Sequence, residues 1–124
     1  MKLRALKTDY IDKRVITFFI DKKIKEDLNK LLIESNKYNL KKKSDWINEA
    51  IMMLKDTGNY KEIVYRAEVN ENLDNVRDKI KMTFDQRKNF SEIRNEVVKA
   101  YPDIKGPHGA IIRAAISNRL IRRI

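Results

Sequence analysis

The chain has 124 residues, 42% of them hydrophobic and 37% charged, with 3 glycines, 2 prolines and no cysteine. This composition favours a helix-rich folded chain over a disordered one. The length suits one domain, or two very small units that share a core, because a unit below about 70 residues seldom builds a sufficient core alone. The lack of cysteine excludes disulfides and thiolate metal sites and fits a reducing cytoplasm.

The formal net charge of +10 points to an anionic partner, nucleic acid before a membrane surface. A solvated lysine-rich face would give the same balance, so charge alone does not decide between them. The first residues lack the apolar core of a signal peptide, and no apolar run approaches the roughly 18 residues that span a bilayer. We therefore expect a cytoplasmic protein without a membrane partner.

Residues 13–54 contain one predicted strand and two predicted helices. Residues 14–20 are mostly β-branched and aromatic, which is typical of a strand, and Asp21 after them can cap a helix. After a polar turn at 34–39, Ser44 is a suitable cap for a second helix. The apolar stripes of the two helices are Ile24, Leu28, Leu31 and Leu32, then Trp46, Ile47, Ala50, Ile51 and Leu54. A lone strand is not stable, so a second strand is needed.

The pattern then begins again, which indicates an internal repeat. Residues 62–69 are the second strand candidate. The apolar residues at helical spacing after it are Leu73, Val76, Ile80 and Phe84. An inserted helix is predicted near 90–101, stopped by Pro102, before a last helix at 110–123 that carries a basic cluster at its end.

The predicted organisation has three segments. Residues 1–12 alternate charged and apolar types without a clear period and are predicted to form a flexible basic arm. Residues 13–57 form the first unit, and residues 60–124 form the second unit with its inserted helix.

The order strand, helix, helix in residues 13–54, with Ser44-Asp45-Trp46-Ile47 entering the second helix, resembles the ribbon-helix-helix family of DNA-binding proteins, the group of the Arc and MetJ repressors. Residues from 62 onward resemble it less closely. The resemblance implies a mainly α fold with a short antiparallel two-stranded β-ribbon, here a tandem pseudo-dimer in which one chain supplies both strands. A single unit that dimerises between two chains is the alternative.

In that family the ribbon enters the major groove of DNA, and the resemblance implies the same here. Because side chains alternate along a strand, one face would pack on the helices while the other reads base edges. The outward, base-reading candidates are Lys13, Val15, Thr17 and Phe19 in the first strand and Val64, Arg66 and Glu68 in the second. Thr17 and Arg66 are the polar readers. Alternatively, another protein element covers the outward apolar side chains.

Phosphates should bind where the second helix of each unit begins, because free N–H groups and the helix dipole favour an anion there. The candidates are Lys42, Lys43 and Ser44 in the first unit and Lys105, Gly106, His108 and Gly109 in the second. The alternative is an ordinary capped helix beside a solvated lysine run.

Catalytic chemistry finds little support in the sequence. His108 is the only histidine, and the carboxylates are spread along predicted helix surfaces. We therefore expect no enzyme activity, no metal and no cofactor.

The sequence thus predicts site-specific binding of double-stranded DNA, as a transcriptional repressor or a plasmid or phage accessory factor. A monomeric pseudo-dimer is favoured over a homodimer, with assembly of several copies on DNA left open. The alternative hypothesis is an N-terminal ribbon-helix-helix homodimer with a C-terminal helical module that binds a protein partner, as in an antitoxin or a partition adaptor.

Overall fold

The computed structural model describes residues 13–67 and 73–122. These residues form a mainly helical protein with a two-stranded antiparallel sheet, which confirms the predicted fold class. The elements in chain order are β1 (Arg14–Asp21), α1 (Lys22–Glu34), α2 (Lys43–Lys55), α3 (Tyr60–Tyr65), β2 (Asn75–Met82), α4 (Phe84–Ala100) and α5 (Pro107–Arg122). A 3-10 turn at Leu40–Lys42 leads into α2. The predicted arm at 1–12 lies outside the described residues.

The sheet is a ribbon made by two strands of one chain. β1 pairs antiparallel with β2 along its whole length, from Arg14 opposite Met82 to Asp21 opposite Asn75. The predicted faces of β1 are confirmed. Phe18 and Ile20 are buried and Ile16 is partly buried, whereas the outward side chains are exposed. The outward side chains of β1 are Val15, Thr17 and Phe19.

The second strand was predicted at 62–69, and this prediction is wrong. Residues Tyr60–Tyr65 form the short helix α3, which packs against α5 and buries Val64 completely. A short apolar run suits a buried helix turn as well as a strand, so periodicity could not separate them. The strand lies instead at Asn75–Met82, within a segment whose apolar spacing predicted a helix.

The helix predicted near 90–101 is the C-terminal part of α4, which already begins at Phe84 and ends just before Pro102, as expected. A reciprocal capping box starts it: the Thr83 hydroxyl accepts from the Gln86 backbone N–H at 3.2 Å, and the Gln86 side chain accepts from the Thr83 N–H at 2.9 Å. The second half of the chain is therefore strand, helix, helix without an inserted helix. The extra element is α3, which lies between the two halves.

Asp21 behaves differently at the corresponding junction between β1 and α1. Among the described residues, its side chain makes no capping hydrogen bond, so the predicted carboxylate cap is not formed. The junction is fixed by the ribbon instead, because the Lys22 backbone N–H donates to the Asp74 carbonyl at 2.8 Å.

The core lies between the inner face of the ribbon and the helices. α2 and α5 pack against each other, and each also packs on the strand of the other half, α2 on β2 and α5 on β1. Their fully buried residues include Ile47, Ala50, Leu54, Ile111, Ala115 and Ile116. The two halves therefore share one core, as chains this small require.

Arg119 joins α5 to the start of α2 inside this core. It is 6% exposed, and its guanidinium stacks over the Trp46 ring at 4.6 Å from the centroid. It also donates to the Trp46 carbonyl at 2.8 Å and lies 3.4 Å from the Glu49 carboxylate. Arg119 is thus a packing residue, although by its position it belongs to the basic cluster predicted at the end of the last helix.

None of the helices in the described ranges combines the length and apolar character needed to cross a lipid bilayer.

Candidate nucleic-acid interface

The outer side of the ribbon presents six side chains in three cross-strand pairs, which we call the ribbon face. The pairs are Val15 with Lys81, Thr17 with Lys79, and Phe19 with Arg77. All six residues are exposed, including the apolar Val15 at 54% and Phe19 at 45%. The face extends for about 13 Å, given a rise of roughly 3.3 Å per strand residue. Lys13 is exposed and precedes the strand on the side of the ribbon face, by the same alternation.

The two strands contribute different chemistry to this face. β1 supplies a branched alkyl group, a hydroxyl group and an aromatic ring, whereas β2 supplies three cations. The Arg77 guanidinium lies 5.6 Å from the centroid of the Phe19 ring, within the range of a cation–π interaction. The Phe19 ring and the Arg77 guanidinium are therefore neighbours across the ribbon.

The base-reading candidates predicted in the second strand are not on the ribbon. Val64 is buried in α3, and Arg66 lies just after α3 with its guanidinium 2.6 Å from the Glu62 carboxylate. Glu68 lies outside the described residues.

The structure places Arg77, Lys79 and Lys81 on the ribbon face instead. These three residues were not predicted from the sequence. Their alternation with the apolar Val76, Ile80 and Met82 is the signal that could have found them. Asp78 breaks that alternation, because it puts a carboxylate on the inner side of β2.

Asp78 is accommodated by Lys43 at the start of α2. The Lys43 ammonium lies 2.6 Å from the Asp78 carboxylate and also donates to the Asn29 side-chain oxygen at 2.9 Å. The two side chains are only 15% and 12% exposed. Lys43 was predicted to bind phosphate, but its ammonium is directed into the protein. In this structure the Lys43 ammonium is thus paired with Asp78 and Asn29 and is not part of the outward basic surface.

The first turns of α2 are bonded to the outer edge of β2. The Ser44 hydroxyl accepts from the Lys81 backbone N–H at 2.9 Å, and the Asn48 amide donates to the Lys81 carbonyl at 3.0 Å. The predicted phosphate ligand Ser44 is thus also a ribbon contact.

The outer edge of β1 is bonded in a comparable way by α5. The Arg113 guanidinium donates to the Phe19 carbonyl at 3.0 Å and to the Ala67 carbonyl at 2.8 Å. Side chains near the start of the two core helices therefore hold opposite edges of the ribbon. These bonds occupy the backbone N–H and carbonyl of Lys81 and the carbonyl of Phe19, groups through which a further strand would pair.

The remaining phosphate candidates surround the starts of α2 and α5. Lys42, Lys105 and Gly106 are exposed, and Gly106 has a φ of +54°, which favours glycine at this entry to α5. Gly109 has a different role, because a β-carbon there would lie 2.7 Å from the Arg113 guanidinium. Gly109 thus makes room for Arg113.

His108 is exposed at the start of α5 and stacks on Phe90, with 5.4 Å between ring centroids. Partial burial of the ring, and secondly the nearby Arg94, lower the pKa of His108 from its ordinary value of 6.5. Near pH 7 the imidazole is therefore mostly neutral. It can donate an N–H to an anion but brings no positive charge.

No protein-family model matches this chain, and comparisons with curated proteins and with solved structures likewise gave no match. Within the described ranges, no cluster of histidines and carboxylates is arranged to hold a metal ion.

Proposed function

We propose that this protein binds double-stranded DNA at specific sites by inserting the ribbon face into the major groove, in the manner of ribbon-helix-helix proteins. The observation that carries the proposal is a two-stranded ribbon whose inner face is core and whose outer face exposes three cations, a hydroxyl group and two apolar side chains. An exposed mixture of this kind on a rigid support is suited to binding.

The dimensions support the proposal. The major groove is about 12 Å wide and admits a two-stranded ribbon. Its base edges offer the groups that the ribbon face complements, since arginine and lysine bind the guanine acceptors and apolar side chains contact the thymine methyl group. A hydroxyl group such as that of Thr17 can contact either kind of base.

Phosphate binding would be supplied by the starts of α2 and α5. The first N–H groups of any helix lack partners within it, and the helix dipole favours an anion there. Side chains of both helices are bonded to the ribbon edges, so both starts would face the DNA backbones that border the groove. Lys42 and Lys105 add charge at these places, in line with the net charge of +10.

We propose further that the chain is an intramolecular pseudo-dimer. Asp21 and Thr83 each stand between a strand and the helix that follows it. Aligning these two residues places Thr17 on Lys79, and those two residues face each other in the ribbon. An approximate two-fold axis through this pair would relate the halves.

The hydrogen bonds from α2 and α5 to the ribbon edges are related by the same approximate two-fold axis. Residues 46–51 overlay on residues 111–116, which puts Asn48 in the place of Arg113. Asn48 donates to the carbonyl of Lys81, and Arg113 donates to the carbonyl of Phe19. Lys81 and Phe19 are themselves equivalent under that axis. In this proposal one chain can act alone, as a repressor or as a plasmid or phage accessory factor.

The decisive experiment is selection of bound sites from a random DNA pool, followed by gel shifts with ribbon-face variants. Replacing Lys79 or Arg77 with Ala should weaken binding to the selected site by about 1–3 kcal/mol each, while binding to random DNA changes less. Lys99→Ala is the matched control, because Lys99 lies roughly 24 Å along α4 from the ribbon. The proposal fails if no sequence is enriched, or if the ribbon variants bind the selected site as the wild type does.

A further inference from the structure

We infer that the DNA site is non-palindromic and is read in one orientation, with guanines on one DNA strand read by β2 and thymine methyl groups on the other read by β1. This inference rests on the proposed function. The helices and strands follow an approximate two-fold axis, whereas the side chains of the ribbon face do not.

The approximate two-fold axis relates each outward side chain of β1 to an outward side chain of β2 with different chemistry. It would place Val15 on Arg77, Thr17 on Lys79, and Phe19 on Lys81. In every exchange an uncharged side chain of β1 meets a cation of β2. A two-fold symmetric DNA site would offer the same bases to β1 and to β2. The uncharged side chains of β1 and the cations of β2 could not both match those bases.

The donors of β2 select for guanine. Arginine and lysine side chains donate hydrogen bonds and accept none. Guanine presents two acceptors in the major groove, N7 and O6, whereas adenine pairs its acceptor with an amino donor, cytosine presents a donor alone, and thymine presents one acceptor, O4, beside its methyl group. Arg77 is the best suited of the three cations, because a guanidinium presents a planar fork of donors. Its guanidinium lies beside the Phe19 ring.

The apolar side chains of β1 select for a different feature. Val15 and Phe19 have no hydrogen-bonding group, and the C5 methyl group of thymine is the apolar group that the major groove offers. Both are large exposed apolar residues on a face otherwise made of polar side chains. Contact with a methyl group would remove that surface from water.

The two strands of the ribbon should face different strands of the DNA. Neighbouring β-strands lie about 4.8 Å apart, whereas the groove is about 12 Å wide. When the ribbon lies along the groove, β2 is therefore closer to one wall and β1 closer to the other. Guanines facing β2 would lie on one DNA strand. Thymines facing β1 would lie on the opposite strand, so the guanine-bearing strand carries adenines as their partners and is rich in purines.

Chemical interference on the selected site tests this with the wild-type protein. Methylation of guanine N7 blocks an acceptor, and replacement of thymine by uracil removes the methyl group. We expect the methylation signal to fall mainly on one DNA strand and the uracil signal mainly on the other. Arg77→Gln should lose roughly 5- to 150-fold in affinity at one guanine position and remove its signal. Lys99→Ala serves as the control and should leave both patterns unchanged.

An exchange of side chains gives a second test. In the double variant Val15→Arg with Arg77→Val, one guanine contact should move to the opposite DNA strand at the other end of the site. A palindromic selected site, or methylation signals equal on both DNA strands, would overturn the inference while leaving the proposed function intact. If no sequence is enriched from the pool, both are overturned.

Discussion

Lys43 and Asp78 form an ion pair whose two side chains are largely buried on the inner side of the ribbon. Removing one partner leaves the other charge without compensation in a poorly solvated place. We expect Lys43→Met to lower the free energy of unfolding by about 1–3 kcal/mol, less than for a fully buried pair because both groups keep some contact with water. The double variant Lys43→Met with Asp78→Leu should recover most of that loss. Urea denaturation of the wild type and the two variants measures this.

Lys42 is the matched control, because it is the preceding residue and is exposed. Lys42→Ala should leave stability unchanged but reduce the salt dependence of DNA binding by about one unit of slope. Lys43→Met should leave that slope unchanged. The opposite result, a stable Lys43 variant with a reduced slope, would return Lys43 to the phosphate-binding residues.

Two junctions between strand and helix have the same position in the chain's two halves but different chemistry. Thr83 caps α4 through a complete capping box, whereas the Asp21 side chain makes no cap to α1 among the described residues. Thr83→Ala should therefore cost about 1 kcal/mol of stability, and Thr83→Ser should restore most of it.

Asp21→Ala provides the comparison at the equivalent position. Because no capping hydrogen bond is lost, it should cost clearly less than Thr83→Ala in the same urea experiment. Equal costs would mean that the Asp21 carboxylate caps α1 in solution.

At the scale of the whole molecule, the ribbon is completed within one chain. β1 pairs with β2, and both outer edges are bonded by side chains of α2 and α5. The ribbon therefore does not need a strand from a second copy of the chain. We expect dilute protein to scatter light as a monomer of 14.7 kDa.

A chain ending near residue 59 tests the same point. It would lack β2, which pairs with β1 and packs on α2, and α5, which packs on both β1 and α2. We expect this fragment not to unfold cooperatively, as judged by circular dichroism during heating. A dimeric full-length protein together with a folded fragment that binds DNA would rule out the pseudo-dimer.

The sequence by itself determined the features that depend on local periodicity. The alternation in 14–20 correctly assigned the inner and outer faces of β1, and the apolar stripes located α1 and α2. Pro102 correctly marked the end of α4. These predictions succeed because helix hydrogen bonds are local and because strand side chains alternate whatever the partner is.

Only the tertiary structure decided where the second strand lies and which cations the ribbon face carries. A strand is stabilised by a partner distant in sequence, so the alternation at 75–82, which Asp78 interrupts, did not by itself separate a strand from a helix, while the apolar run at 63–65 served equally well as a buried helix. The same holds for single residues. Asp78 suits an inner face because Lys43 pairs with it there. Arg119 can be buried because the Trp46 ring and carbonyl, the Glu49 carboxylate and Tyr38 all lie against its guanidinium.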